Sequence, residues 1–295
     1  MNILFNKIKD RRYFISDGAW GTQLHARGLK PGECPELWND TRPDEVMAIA
    51  RSYVEAGADL IGTNSFGCNR IKLAHYGLEM RASELCEKAA LLSRKAAGER
   101  IVVAGSMGPT GKLLITGEVS EEELYKAFRE QAVALERGGA EMACIETMSD
   151  IEEARIAILA VKENTRLQVI CTFTFDRLDD GSYRTMMGAT VGEVVNMLVS
   201  VKVDIMGSNC GSGMEQMVAL MREFKRHNTT IPLMVQANAG KPLLENNRTV
   251  FPESPAEMAS HVPDLVKAGV CVIGGCCGTT PEHISAIRDQ LIRLS

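Results

Sequence analysis

The sequence lacks any run of the roughly 20 apolar residues that a membrane-spanning helix needs. Its start, Met1 to Arg12, mixes apolar side chains with Lys7 and Asp10, so it also lacks the apolar centre of a signal peptide. An excess of basic charge is missing too, since the formal net charge is −5, which argues against nucleic acid or an anionic membrane surface as the main partner. We therefore expect a cytoplasmic protein that acts on a small molecule.

A disulfide framework is also not expected. The nine cysteines are odd in number and scattered through 295 residues, 45% of them hydrophobic, so the chain can bury a core without covalent staples. No Cys-x-x-Cys pair occurs, which disfavours a structural zinc ribbon or finger. Four cysteines lie in apolar stretches and are expected to behave as small hydrophobic residues: Cys86, Cys144, Cys171 and Cys271.

What the chain does have is a repeated alternation of short apolar runs and helix-like segments. The runs do not alternate polar with apolar residues, which is typical of strands buried on both faces of a parallel sheet. Eight such units predict a single (β/α)8 barrel over residues 1–295, with an open doubly wound sheet as the alternative. The eight predicted strands are Tyr13–Ser16, Asp59–Thr63, Ile101–Gly105, Met142–Glu146, Gln168–Phe173, Asp204–Ser208, Leu233–Gln236 and Cys271–Gly274.

Start signals for the helices lie between these runs. A Ser or Thr followed three residues later by Glu predicts a capping box, in which each side chain bonds the other residue's free backbone N–H. Pro255 and Pro281 each follow a Ser or Thr, as expected for the first helical position. The predicted boxes are Ser120/Glu123, Ser149/Glu152, Thr190/Glu193, Ser212/Glu215 and Ser254/Glu257.

Three cysteines fall where chemistry gathers in such barrels, at the carboxyl ends of the strands. Cys210 follows the sixth predicted strand, and Cys276 and Cys277 follow the eighth. Zinc with three protein ligands and one open position is the usual catalytic arrangement, and thiolate is a ligand that zinc favours. The alternative is a buried or disulfide-bonded pair at 276–277, but adjacent cysteines in a Gly-Gly-Cys-Cys-Gly turn pack poorly in a core and cytosolic disulfides are rare.

A zinc ion held by three thiolates carries a net charge of about −1, so it is a weak Lewis acid and a poor source of hydroxide. It suits a thiol substrate, because a thiol that binds zinc is deprotonated and stays nucleophilic at neutral pH. The expected chemistry is attack by sulfur on an electrophilic carbon.

These strand-end residues together resemble the homocysteine S-methyltransferase family along nearly the whole chain. The similarity is greater to the homocysteine-binding barrel of cobalamin-dependent methionine synthase than to betaine–homocysteine methyltransferase. The segments that carry it are Asp17-Gly18-Ala19-x-Gly21-Thr22, Thr63-Asn64-Ser65-Phe66, Gly105-Ser106-Met107-Gly108-Pro109, Asn209-Cys210-Gly211 and Gly274-Gly275-Cys276-Cys277-Gly278-Thr279.

The resemblance implies zinc-dependent transfer of a methyl group to the thiol of homocysteine, giving methionine. It implies that Cys210, Cys276 and Cys277 ligate Zn²⁺ and that the homocysteine sulfur completes the tetrahedron. It also implies that Asn238, in the turn after the seventh strand, occupies the fourth position when substrate is absent.

By the same resemblance, Asp17 and Glu146 hold the substrate amino group, while Gly18, Thr63 and Asn64 offer donors to its carboxylate. The chemistry agrees, since an ammonium group needs acceptors and a carboxylate needs N–H donors. Taken alone, Asp17 is equally well explained as a turn former and Glu146 as a solvated loop charge.

Other residues near the strand ends carry weaker signals. Three apolar side chains either shape the methyl-donor side of the pocket or simply pack: Trp20, Phe66 and Met107. The five histidines lie in predicted helices or loops away from the strand ends and are expected at the surface: His25, His75, His227, His261 and His283.

The methyl donor is not identified by the sequence. The folate, corrinoid and reactivation modules of the long family members are not present, and neither Asp-x-His-x-x-Gly nor Gly-x-Gly-x-x-Gly occurs, so the chain shows no cobalamin-ligating or dinucleotide-binding motif. A separate corrinoid protein, S-methylmethionine, S-adenosylmethionine or a methylated amine each remains open, as does an origin as an excised fragment. Two other functions also remain open: a subunit that moves a methyl group from another substrate to a corrinoid protein, and a non-catalytic binding module.

Overall fold

The computed structural model describes residues 3–4, 12–227, 230–245 and 248–294. Eight parallel strands form one sheet: Phe14–Ile15 (β1), Leu60–Ile61 (β2), Val102–Met107 (β3), Met142–Met148 (β4), Gln168–Phe173 (β5), Ile205–Asn209 (β6), Leu233–Ala237 (β7) and Val270–Gly275 (β8). Their order in the sheet is β1-β8-β7-β6-β5-β4-β3-β2. A parallel bridge between Ser16 and Leu60 joins the two ends of that order, so the prediction of a (β/α)8 barrel is confirmed.

Each of the eight predicted runs overlaps one strand, but β1 and β2 are shorter than predicted. At their junction the Ile15 N–H donates to the Asp59 carboxylate at 3.0 Å, while the Asp59 N–H donates to the Ile15 carbonyl at 2.7 Å. A side-chain acceptor thus replaces part of the backbone ladder where the barrel closes.

Helices pack around the barrel between successive strands. They are Gly21–Ala26 (α1), Trp38–Thr41 (α2), Pro43–Ala56 (α3), Arg70–Leu73 (α4), Ala82–Ala97 (α5), Glu121–Arg137 (α6), Ile151–Asn164 (α7), Val191–Ser200 (α8), Met214–His227 (α9), Pro255–Ser260 (α10), Val262–Lys267 (α11) and Pro281–Leu294 (α12). Two short antiparallel hairpins lie in loops that follow strands: Asp176–Arg177 with Tyr183–Arg184, and Leu243–Glu245 with Arg248–Val250. None of the helices in the described part of the chain is long and apolar enough to cross a bilayer.

The core has two layers. An inner cluster fills the barrel with side chains from all eight strands, among them Phe14, Met142 and Cys144, and a larger outer cluster lies between the strands and the helices. Cys86 and Cys171 are buried as expected, whereas Cys271 is only half-buried. All nine cysteines are free, in agreement with the expected absence of a disulfide framework.

The predicted helix starts are correct in three of five cases. Capping boxes are present at Ser120/Glu123, Thr190/Glu193 and Ser254/Glu257. The other two predictions are wrong by one residue: α9 begins at Met214, and the N-cap of α7 is Asp150. Asp150 replaces Ser149 because its carboxylate accepts from both the Glu152 and the Glu153 N–H groups.

The interpretation of all histidines as surface residues is wrong for His283, which is buried. The Thr280 N–H donates to its Nδ1 at 3.1 Å, so Nε2 carries the proton and donates to the Glu253 carbonyl at 3.0 Å. Both ring nitrogens therefore have partners, which permits burial. The partners come from two separate loops, and the helical position of His283 does not reveal them.

Candidate functional site

A pocket of about 290 Å³ opens at the carboxyl ends of the strands. Its lining includes all five residues predicted to bind substrate and all three cysteines predicted to bind metal: Asp17, Gly18, Thr63, Asn64, Glu146, Cys210, Cys276 and Cys277. Trp20 and Phe66 also line it, whereas Met107 is buried in the core and does not.

The sulfur atoms of Cys210, Cys276 and Cys277, here called the sulfur cluster, all lie within 4.8 Å of one another. The Cys210 and Cys277 sulfurs are 3.9 Å apart. A tetrahedral ion with metal–sulfur bonds of about 2.3 Å separates its sulfur ligands by about 3.8 Å. The arrangement therefore fits a metal ion with three protein ligands.

The backbone at Cys210 is what brings its sulfur to this position. Cys210 has a left-handed conformation with φ of 60°, which is uncommon for a residue with a side chain and costs about 1–2 kcal/mol. Backbone hydrogen bonds hold it, because the Cys210 N–H donates to the Gln236 carbonyl at 3.0 Å and the Ser212 N–H donates to the Cys210 carbonyl at 2.8 Å. Strain of this kind is typical of functional sites.

The three thiols share their protons unequally. The pKa of Cys210 is lowered to about 3 because its sulfur accepts hydrogen bonds from Cys276 and Cys277. The pKa of Cys277 is raised to about 12, and that of Cys276 is also raised, chiefly through the same bonds to Cys210. In the metal-free cluster these shifts favour the thiolate at Cys210 and the thiol at its two neighbours, whose protons a divalent cation would displace.

Asn238 lies beside this cluster but outside the pocket lining. Its side chain hydrogen-bonds the Cys210 sulfur, and its Oδ1 is buried with no hydrogen-bond partner in the described structure. A buried amide oxygen without a partner is costly. Rotation of the amide would turn that oxygen toward the sulfur cluster, so Asn238 is suited to be the fourth ligand of a metal ion.

Asp17 lies at the end of β1 and is almost fully buried. Its Oδ2 accepts from the Gly62 N–H at 2.7 Å and from the Trp20 Nε1–H at 2.9 Å. Burial raises the pKa of Asp17 to about 6, although these hydrogen bonds favour the charged form. The next residue has to be glycine, because a Cβ on Gly18 would lie 2.6 Å from the Thr279 hydroxyl oxygen.

Glu146 is the second carboxylate of the pocket. Ser106 Oγ donates to its Oε1. Burial raises the pKa of Glu146 to about 7, and the charge of Asp17 adds to the increase. The pocket lining contains no Lys, Arg or His in the described part of the chain, so no cation of the lining balances its three acidic groups, Asp17, Glu36 and Glu146. An ammonium group on a ligand would supply that charge.

The side chains of Thr63 and Asn64 are already committed to the protein. Ser65 Oγ donates to the Ser106 carbonyl at 2.7 Å, so it accepts from the Thr63 hydroxyl, 2.6 Å away. Asn64 Nδ2 donates to the Pro35 carbonyl at 2.8 Å and to an asparagine oxygen at 2.9 Å. A ligand carboxylate in this corner would therefore meet backbone N–H groups rather than these side chains.

Ser106 and Glu36 had no role predicted from the sequence, and Trp20 was expected only to shape the donor side of the pocket or to pack. Ser106 and Trp20 hold the two carboxylates, and Glu36 lines the pocket and accepts from the Gly67 N–H at 2.7 Å. Ser106 follows the third predicted strand and Trp20 lies three residues after Asp17, so their positions near strand ends could have indicated a place in the pocket. Nothing in the sequence marks Glu36.

A family model described as homocysteine S-methyltransferase matches residues 14–291. The methionine synthase of Mycobacterium tuberculosis is 33% identical over 307 aligned residues, which cover 97% of this chain and 25% of that protein. The methionine synthase of Mycobacterium leprae is 32% identical over 299 residues, covering 96% of this chain and 24% of that protein. The chain thus spans about a quarter of the length of these curated relatives.

Solved structures show the same relationship. The metallated form of the homocysteine methyltransferase MmuM from Escherichia coli has a TM-score of 0.81 and 27% identity, covering 98% of this chain and 100% of that one. The carboxyl transferase domain of Rhizobium etli pyruvate carboxylase has a TM-score of 0.53 at 13% identity, covering 96% of this chain and 48% of that one. The second likeness concerns the fold alone.

Proposed function

This chain belongs to the homocysteine S-methyltransferase family, and on that premise we propose that it transfers a methyl group to the thiol of homocysteine, giving methionine. The observation that carries the proposal is the placement of the sulfur cluster and two carboxylates in one pocket. The sulfur cluster suits a thiol, the two carboxylates suit an ammonium group, and homocysteine carries both groups.

We propose Zn²⁺ as the ion, with Cys210, Cys276 and Cys277 as its ligands and Asn238 in the fourth position without substrate. Three thiolates and one neutral oxygen are a ligand set that zinc accepts. When bound, such an ion lowers the pKa of a thiol that joins it and so supplies a sulfur nucleophile at neutral pH.

The remaining residues would hold the amino acid end of the substrate. Asp17 and Glu146 would accept from its ammonium group, and each is itself oriented by a hydrogen bond from the protein. Backbone N–H groups at Gly18, Thr63 and Asn64 would donate to its carboxylate. Fixing both ends of the substrate orients its sulfur for in-line attack on the methyl donor.

Metal analysis of the purified protein and its variants tests this proposal. We expect about one zinc ion per chain in the wild type, and loss of metal or of activity in Cys210→Ala, Cys276→Ala and Cys277→Ala. Cys271→Ala is the matched control, because Cys271 lies on β8 outside the pocket lining. Retention of both metal and activity in all three cluster variants would reject the proposal.

A donor screen belongs to the same test, since the methyl donor is not identified by the pocket. Methionine formation from homocysteine is measured with methylcobalamin, S-methylmethionine, S-adenosylmethionine and betaine in turn. Methionine from any of them supports the proposal. No methionine from any donor would instead favour transfer of a methyl group from another substrate to a corrinoid protein.

A further inference from the structure

Asn209, the last residue of β6, uses its whole hydrogen-bonding capacity to connect two parts of the site. It is completely buried. Its Oδ1 accepts from the Thr147 N–H at 2.9 Å and from the Thr172 hydroxyl at 2.8 Å. Its Nδ2 donates to Thr147 Oγ1 at 2.8 Å and to the Cys276 sulfur at 3.9 Å.

The orientation of this amide follows from its partners. A backbone N–H can only donate, so the atom that faces the Thr147 N–H has to be the oxygen. The nitrogen therefore faces Cys276, and the Cys276 sulfur is the acceptor. Because this contact uses no proton of Cys276, it can form both with the thiol of the metal-free cluster and with the thiolate that ligates a metal.

The same amide also holds the backbone beside Glu146. Thr147 has a left-handed conformation with φ of 61°, which a residue with a branched Cβ rarely adopts. Both contacts of Asn209 to Thr147, one to the N–H and one to the hydroxyl, stabilise that conformation, which lies at an irregularity in the pairing of β4. Because Thr147 directly follows Glu146, this irregularity sets where the Glu146 carboxylate lies.

From this geometry we infer that Asn209 is a positioning residue that holds the Cys276 sulfur for the metal and fixes its separation from Glu146. The first half concerns metal binding alone. The second half rests on the proposed function. A fixed separation between the sulfur cluster and an ammonium-binding carboxylate matches one length of carbon chain between the amine and the thiol of the substrate. It therefore favours homocysteine over cysteine.

Metal affinity tests the first half without any substrate. Asn209→Ala and Asn209→Asp both remove the donor to Cys276, and Thr172→Val is the matched control because it removes a hydrogen bond to the same amide from the opposite side. Zinc affinity is measured by competition with a chromophoric chelator, and cobalt-loaded protein is compared by its sulfur-to-metal absorption band. We expect about 10- to 100-fold weaker zinc binding in the Asn209 variants, a shifted cobalt band, and unchanged values in Thr172→Val.

Unchanged zinc affinity in the Asn209 variants would overturn the inference, as would an equal loss in Thr172→Val, since Asn209 would then act only through general stability. If the Asn209 variants do not fold, NMR measurements on the wild-type protein test the inference instead. Its Asn209 side-chain amide protons should shift on metal binding more than those of Asn39, which is similarly buried away from the cluster. Equal shifts would count against the inference.

Calorimetric binding of homocysteine and cysteine to the metal-loaded protein tests the second half. We expect Asn209→Ala to lower the ratio of homocysteine to cysteine affinity, and Thr172→Val to leave it unchanged. An unaltered ratio in Asn209→Ala would refute the link to Glu146. Failure of the wild type to bind homocysteine would refute both that link and the proposed function, while the metal measurements would still judge the contact to Cys276.

Discussion

At the scale of the residue, two of the pocket carboxylates illustrate how burial prepares a site for a cation. Asp17 and Glu146 have pKa values raised to about 6 and about 7 chiefly by burial. A ligand ammonium group between them would offset that cost, because an opposite charge favours the ionised form. The free protein therefore holds unfavourable charge that a bound ammonium group would relieve.

This arrangement predicts a pH-dependent effect of Glu146→Gln in metal-free protein. The folded-state pKa of Glu146 is raised from 4.5 to about 7, so its contribution to stability is present below about pH 4.5 and is lost as the pH rises through about 7. The variant should therefore gain roughly 1–2 kcal/mol in free energy of unfolding at pH 8 and little at pH 4, a value below the full shift because the pocket admits water. Urea unfolding at both pH values measures the difference.

Exposed Glu55 on α3 supplies the control. Glu55→Gln should show no such difference between pH 8 and pH 4. A Glu146→Gln variant that is less stable at pH 8 than the wild type would show that the carboxylate is already paired in the free protein. The same variant should bind homocysteine more weakly at pH 8, if the proposed role of Glu146 in binding ammonium is correct.

At the scale of the element, hydrogen-bonding groups at the helix ends decide where each helix begins. Ser120, Thr190 and Ser254 cap their helices as the spacing predicts. At α7 the adjacent Asp150 is the N-cap instead of Ser149. Its carboxylate accepts from two N–H groups, and its negative charge is stabilised by the positive end of the helix dipole. Two neighbouring candidates for a cap are not distinguished by spacing alone.

The assignment of this cap is tested by a pair of neighbouring substitutions. Asp150→Ala should lower the free energy of unfolding by about 1 kcal/mol, the usual cost of losing an N-cap. Ser149→Ala should change it by only a few tenths of a kcal/mol, as for an ordinary surface site. Equilibrium denaturation of both variants gives the comparison, and an equal loss in the two would mean that Ser149 shares the capping role.

At the scale of the whole molecule, the sulfur cluster joins parts of the barrel that are far apart along the chain. Cys210 and Cys277 are separated by 67 residues, and they follow β6 and β8, between which β7 lies. An ion held by both would bind only the folded barrel. Metal binding should therefore add to the stability of the entire fold by mass action.

The expected size of this stabilisation follows from the metal affinity. Free zinc at 1,000 times its dissociation constant should raise the free energy of unfolding by about 4 kcal/mol, and a chelator should abolish the gain. Cys276→Ala should respond much less to either addition. Urea unfolding curves that coincide with and without zinc in the wild type would contradict metal binding at the cluster.

Much of the architecture could be predicted from the sequence alone. The eight buried strands, the three capping boxes and the location of Cys210, Cys276 and Cys277 at strand ends follow from local patterns, because hydrophobic periodicity and capping chemistry act over a few neighbouring residues. Once the barrel is predicted, its symmetry places every strand end on one rim, and so the pocket lining could also be anticipated.

The contacts that orient the site were decided only by the tertiary structure. Asn209 meets Cys276, Ser106 meets Glu146, and His283 meets the Glu253 carbonyl across separations that the sequence does not encode locally. The first two contacts depend on the register between strands and on the left-handed backbone at Thr147 and Cys210, and the third depends on how a helix packs against a loop. A shift of one residue in that register would turn these side chains away from each other, which is why no motif predicts them.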